Sequence, residues 1–288
     1  MKIKITTLLL ALSSLTAVAQ KSVLWEVSGN GLTKPSYLMG TLKFIGEKEF
    51  YLPKEVGQKM TQCKLFAIED QVDHKAQMEL NKAMHLPKKQ TLATVLSPDE
   101  YSKLIAFVDQ KFHMSKAKFE KDLGKLIPLA LSINMTRMGL GEAVKYYDIE
   151  LLLLAKQNKL STYSLEGIDR EAESLKTFPM DKQKEALNFT INNFTEQMAE
   201  FHDLELAFKA NDLDKIFSLD HHPTESNPDF IRVFYTARNE EWFPKIEKMM
   251  KDQPSFISVG VAHLKGENGL LAMLQSKGYT LTPVALSR

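Results

Sequence analysis

The sequence predicts a single α/β domain: a mixed central sheet flanked by helices, with a long helical middle section. Apolar runs with strand character lie near both ends of the chain, and the residues between them keep a helical period. A two-strand start cannot bury its faces alone, so the first and last strands are expected to share a sheet.

Residues 1–19, MKIKITTLLLALSSLTAVA, stand outside that domain. Lys2 and Lys4 precede an uncharged run, and Ala17-Val18-Ala19 has the small-x-small pattern of a signal peptidase site. The run is shorter than the roughly 20 residues a spanning helix needs. The expectation is cleavage before Gln20, a secreted or periplasmic location, and a mature domain over 20–288 with no integral membrane segment. SVLWEVSG and KPSYLMGTL then read as two strands joined at Gly29-Asn30-Gly31, a hairpin signature. LPKEVGQKMTQC reads as a helix with Pro53 at its start, and KLFAIED as a buried strand closing on two carboxylates. From about 74 to 158 the period is helical; Ser97 is placed to cap PDEYSKLIAFVDQ, and Asp148 to cap DIELLLLAKQNK. LSTYSLEG is a short strand. Residues 170–250 are again helical, broken near SLDHHPTESNPD, and SVGVAHLKGENGLLAMLQSKGYTLTPV closes the chain as strand, helix and strand. Whether the helical middle is an inserted subdomain stays open at this level.

Composition narrows the function classes. The chain carries 37 basic and 36 acidic residues, so its charge gives no reason to expect nucleic acid or an anionic membrane as a partner. Cys63 is the only cysteine, which excludes an internal disulfide and a thiolate zinc site and suits a small buried residue.

The ends of the apolar runs carry the chemistry. SYLMGT leads to Lys43, KLFAI to Glu69 and Asp70, STYSL to Glu166, and FISVGVA to His263. In open α/β sheets, sites form beyond the carboxyl ends of the strands, where side chains from different strands converge. These residues are expected to share one crevice; the plainer alternative is that strands simply end where polar loops begin.

These segments, with YYDIELLLLAKQNKLSTYSLEGIDRE and TARNEEWFPKIEKMM between them, resemble the TraB/GumN family, a superfamily that includes the TIKI metalloproteases. The resemblance spans nearly all of the mature chain and implies a single α/β domain. It also implies, as for some members, metal-dependent peptide hydrolysis at two Gly-x-x-His motifs and an acidic residue. The second motif is intact as Gly260–His263. The first reads Gly40, Thr41, Leu42, Lys43, with lysine in the histidine position. A protonated lysine has no lone pair and repels a divalent ion. Moving it by ~3 units toward neutrality would cost ~4 kcal/mol, and an adjacent Glu69 would oppose the shift. Lys43 is therefore expected to stay charged and pair with a carboxylate where the metal would sit.

The resemblance carries over His263 and Glu69 as metal ligands, for Mn, Co or Zn, with Lys43 weighing against any metal. It also carries over Glu166, for which a carboxylate at a helix N-terminus is the alternative, and Arg238, which could clamp a carboxylate or be an ordinary salt-bridged arginine. His74 is the best local replacement for the missing histidine; His221 and His222 read as loop surface, and His85, His113 and His202 lie in helical stretches without ligand spacing. The functional expectation is an exported hydrolase acting on a peptide or small molecule. A catalytically degenerate family member that binds a ligand or partner is the alternative, and a metal-free hydrolase using Lys43, Glu69 and His263 a third. Mass spectrometry of the exported protein should find Gln20 as its first residue; a mature chain that retains residues 1–19 would refute the cleavage.

Overall fold

The computed structural model describes residues 22–70, 74–219 and 224–287. The cleavage site, His221 and His222 lie outside them, as does the side chain of His74, whose backbone opens the helix His74–Ala83.

The strands are β1 (Leu24–Gly29), β2 (Ser36–Thr41), β3 (Ile45–Gly46), β4 (Leu65–Ile68), β5 (Val144–Lys145), β6 (Ser161–Ser164), β7 (Ser255–Gly260) and β8 (Tyr279–Pro283). Six of them form one mixed sheet in the order β6-β4-β7-β2-β1-β8. β1 and β2 are the expected hairpin, with Leu24 opposite Met39 and Val27 opposite Ser36. Their turn holds Gly29, Asn30 and Gly31 at φ of 77°, 43° and 81°, the left-handed region that Gly and Asn tolerate. β8 pairs antiparallel with β1, so the first and last strands do share the sheet. The antiparallel ribbon of β3 and β5 is an addition: two residues per strand are too few to show a period.

Helices cover the two faces of the sheet. Leu24, Tyr37, Phe66 and Phe256 pack with Met60 of the helix Lys54–Met60 and Leu151 of the helix Tyr147–Gln157. On the other face Val27, Leu38, Ala67 and Val259 pack with Trp242 and Ile246 of the helix Ala237–Asp252 and Leu274 of the helix Leu270–Ser276. Adjacent strand residues point to opposite faces, so one run supplies both cores. Pro53 precedes the helix Lys54–Met60 as expected. Ser97 caps Pro98–Phe112 in a reciprocal box: its hydroxyl accepts from Glu100 N at 3.3 Å, and the Glu100 carboxylate accepts from Ser97 N at 2.8 Å. Asp148 does not cap its helix. The N-cap is Tyr146, and Asp148 lies inside the first turn with its carboxyl toward Thr41. Cys63 is buried and free.

The helical middle section has an apolar core of its own, around Leu92, Leu104, Phe119, Leu131, Met135 and Leu187. Among the described residues no helix is long and apolar enough to cross a membrane.

Gly40 in β2 shows how tightly the sheet and its C-terminal turn fit. A Cβ there would lie 2.6 Å from Leu264 Cδ1 and 3.0 Å from Val261 Cα, on the turn that carries His263. Gly40→Ala should therefore destabilise the protein by about 1–3 kcal/mol, the usual cost of overpacking, read as a lower urea midpoint at unchanged slope. A midpoint equal to the native one would show that the turn does not need this contact.

Candidate functional site

β6, β4, β7 and β2 are consecutive in the sheet and all parallel, so their carboxyl ends lie on one side. Glu69 directly follows β4, Glu166 lies just past β6, Lys43 just past β2, and His263 ends the short 3-10 turn Val261–His263 after β7. The glycine of the intact motif has a local reason. Gly260 donates its N–H to Glu69 Oε1, and a Cβ there would stand 3.2 Å from that oxygen and 3.6 Å from His263 Cδ2.

Arg238 joins three of these residues. It sits in the first turn of the helix Ala237–Asp252, directly after a widened π-helical turn, Arg232–Thr236. Its Nε donates to Glu166 Oε1 at 3.0 Å, and its Nη2 donates to Glu69 Oε2 at 3.0 Å and lies 2.9 Å from Glu166 Oε1. Its Nη1 donates to Phe234 O at 3.2 Å and points at His263 Nε2 at 3.4 Å. The guanidinium lies 4.6 Å from the Trp242 ring centre, and Trp242 Nε1 donates to Glu166 Oε2 at 2.8 Å. Arg238 and Trp242 share a helix face because they are four residues apart. All of this is desolvated: the side chains of Arg238, Glu166 and His263 are 7%, 2% and 3% exposed.

The histidine has a fixed tautomer. Asn239 donates its Nδ2 to His263 O at 3.3 Å and Asn268 O at 2.8 Å, which leaves its Oδ1 facing His263 Nδ1 at 2.7 Å. Nδ1 therefore carries the proton, and the Nε2 lone pair faces Arg238 and Glu69, whose Oε1 is 3.8 Å away. Tyr235 stands edge-on over the imidazole, with ring centres 5.3 Å apart. Burial pushes His263 down to about 3, so it is neutral near pH 7. Burial alone would raise Glu69, but Arg238 and the Gly260 N–H outweigh it and hold the carboxyl below its usual range.

Lys43 stands in a second, more open layer. Its side chain is 66% exposed, yet its ammonium donates to Glu171 Oε1 at 2.8 Å. It is thus charged and paired, as expected, but its partner is Glu171 on the helix Ile168–Thr177 rather than Glu69. Glu171 raises Lys43 above its ordinary value. Burial drives Asp70 up, helped by the neighbouring Glu171 and Glu69 charges; burial resists ionisation of Glu171 too, but Lys43 and a hydrogen bond from Asp70 pull it down. The two carboxyls are thus pushed apart, Asp70 above and Glu171 below the usual carboxylate range. Asp148, whose carboxyl meets Thr41 Oγ1 at 3.4 Å, is pushed up to about 7, first by burial and then by Glu69.

Of the residues singled out in the sequence, the structure brings Glu69, Glu166 and His263 onto Arg238 and sets Lys43 apart on Glu171; the sequence reading did not name Glu171, Asn239, Trp242 or Tyr235. Trp242 was accessible through its four-residue spacing from Arg238; Asn239, the next residue along, and Glu171 had no such signal, since their roles depend on how their helices dock on the sheet.

The donor set does not fit a divalent metal as it stands. Glu69 spends its oxygens on Gly260 N–H and Arg238, Glu166 on Arg238 and Trp242, and His263 Nε2 faces a guanidinium N–H. The point where these lone pairs meet is already cationic. Among the described residues, no group of three or more His, Cys, Asp or Glu is arranged to hold an ion.

This geometry defines an α/β protein with a buried arginine–carboxylate–histidine cluster at the carboxyl ends of its parallel strands. The model of the TraB/PrgY/gumN family matches residues 23–283, and the chain belongs to that family. No curated protein and no solved structure matches it.

The raised Asp148 predicts a pH effect. The folded carboxyl holds its proton up to about 7, whereas an unfolded aspartate releases it near ~3.9, so this group removes stability as pH rises between those values. Asp148→Asn should abolish that contribution: its urea midpoint should exceed the native one at pH 8, and the difference should shrink toward pH 4. A difference that does not change with pH would show that Asp148 titrates normally.

Proposed function

We propose that this chain is an exported TraB/PrgY/gumN family member whose crevice binds a ligand or partner without a catalytic metal. One observation carries the proposal: the Arg238 guanidinium takes up the lone pairs of Glu69, Glu166 and His263 on which a metal would depend. Lys43 adds a second fixed cation at the position where the family motif has histidine. Export rests on the features of residues 1–19 and a small-molecule or peptide ligand on the family resemblance.

A second reading, the metal-dependent peptidase, draws on one feature. The His263 Nε2 lone pair lies 3.8 Å from Glu69 Oε1, and its other nitrogen is anchored by Asn239 in the way that orients metal-ligating histidines. Metal-free acid–base catalysis by Lys43, Glu69 and His263 is less well supported: His263 stays neutral and Lys43 and Glu69 stay charged near pH 7. A general acid or base works best when its pKa lies near the working pH.

The two readings separate in one assay. Purified mature protein is incubated with a peptide mixture and Mn²⁺, Co²⁺ or Zn²⁺ in turn, with products read by mass spectrometry and bound metal by elemental analysis. The expected result is no metal-stimulated cleavage and well under one metal per chain. Cleavage abolished by a chelator would overturn the proposal in favour of the peptidase.

A further inference from the structure

β6 is the last strand of the sheet, and its outer edge is open. Ser161 N–H donates to Lys64 O at 3.1 Å and Leu165 N–H to Ile68 O at 2.8 Å, both toward β4. Backbone groups alternate in direction along a strand. Thr162 and Ser164 therefore turn theirs away from the sheet, where no described strand takes them up. Ser161, Thr162 and Tyr163 are exposed. Proteins commonly blunt such an edge with charge, proline or a bulge. The opposite edge does so: β8 ends in Pro283, which has no N–H to offer a further strand. β6 carries no charged residue and no proline.

We infer that β6 is a self-pairing edge, through which two copies of this chain join antiparallel about a twofold axis at Tyr163. The register follows from which groups face outward. Thr162 lies opposite Ser164 of the second copy and exchanges both backbone bonds with it, and the twofold repeats that exchange. Tyr163 lies opposite Tyr163 of the second copy, in the closer, non-hydrogen-bonded kind of pair. Aromatic residues directly across such a pair attract one another. In the single chain the Tyr163 side chain is 43% exposed, so the pairing supplies a contact that it lacks.

Charge and apolar surface both fit a second copy. Lys159, just before β6, and Asp169, just after it on the helix Ile168–Thr177, are exposed and form no ion pair among the described residues. Antiparallel pairing brings the Lys159 end of each copy to the Asp169 end of the other. The helix Tyr147–Gln157 packs against β6 and exposes Ile149 and Leu153, one turn apart. Joining the two edges draws that helix toward its own copy. The twofold also sets the carboxyl ends of the two sets of strands at opposite sides of the joined sheet. The two crevices then open in opposite directions, and neither is covered.

Sedimentation velocity on the native chain across about 1–200 µM tests this, a range suited to a small interface. The expected result is a monomer–dimer equilibrium. Thr162→Pro removes an outward N–H and no bond to β4, so it should weaken the dimer at least tenfold while circular dichroism still shows a folded chain. Tyr163→Lys and Tyr163→Asp each set like charges across the axis, and each alone should be monomeric. Mixed in equal amounts they should regain a dimer, because position 163 faces itself. If Thr162→Pro does not fold, the two Tyr163 variants, changed at an exposed side chain, decide alone. A native chain that stays monomeric throughout overturns the proposal and leaves the edge to a partner of another kind. A dimer that survives in folded Thr162→Pro, or in both Tyr163 variants, places the interface elsewhere. Tyr163 variants that stay monomeric when mixed refute the axis at Tyr163.

Discussion

The buried ion pairs of Arg238 with Glu69 and Glu166 set the terms for the rest of the crevice. A guanidinium and two carboxylates taken out of water must compensate one another; stripping one partner from such a pair typically costs about 3–5 kcal/mol. Here the compensation ties together elements distant in sequence: the end of β4, the loop after β6 and the helix Ala237–Asp252. Trp242 closes the cluster from below, and His263 completes it from the turn after β7. The parallel order β6-β4-β7-β2 is what brings these loops to one edge, so fold and site depend on the same strand order.

The glycines of the two Gly-x-x motifs then acquire a packing reason. Neither Gly40 nor Gly260 is needed for a left-handed backbone. Gly40 leaves room for Val261 and Leu264, and Gly260 leaves room for the Glu69 carboxylate and the edge of His263. The first glycine thus makes room for the turn after β7, and the second for the carboxylate at the end of β4. Gly40 thus serves the turn that carries His263, whatever residue stands at position 43.

What was legible in the sequence was the part encoded locally. The hairpin at Gly29–Gly31, the Ser97 cap, the Pro53 helix start and the strand-end placement of Glu69, Glu166 and His263 all follow from short-range patterns. Asp148 was misread for the same reason. An acidic residue at a helix start is a cap by local statistics, but Tyr146 is the cap and Asp148 turns toward Thr41. The partner of Lys43 was illegible because Glu171 reaches it only once the helix Ile168–Thr177 docks against the strand ends.

The crevice resolves into two electrostatic layers with different freedom. In the inner layer every charge has a fixed partner, and His263 is locked as a neutral tautomer by Asn239. In the outer layer Lys43 is solvent-accessible, and Glu171, Asp70 and Asp148 crowd more carboxyl groups together than one ammonium can balance. Burial and the neighbouring Glu171 and Glu69 charges hold the Asp70 carboxyl above its usual range, and among the described residues its Oδ1 is buried without a hydrogen-bond partner. The inner layer sets two carboxylates against one guanidinium and keeps one net negative charge, whereas the raised Asp70 and Asp148 carboxyls of the outer layer are the groups that hold protons. There Lys43 places a solvent-accessible ammonium at the mouth of the crevice, paired with Glu171.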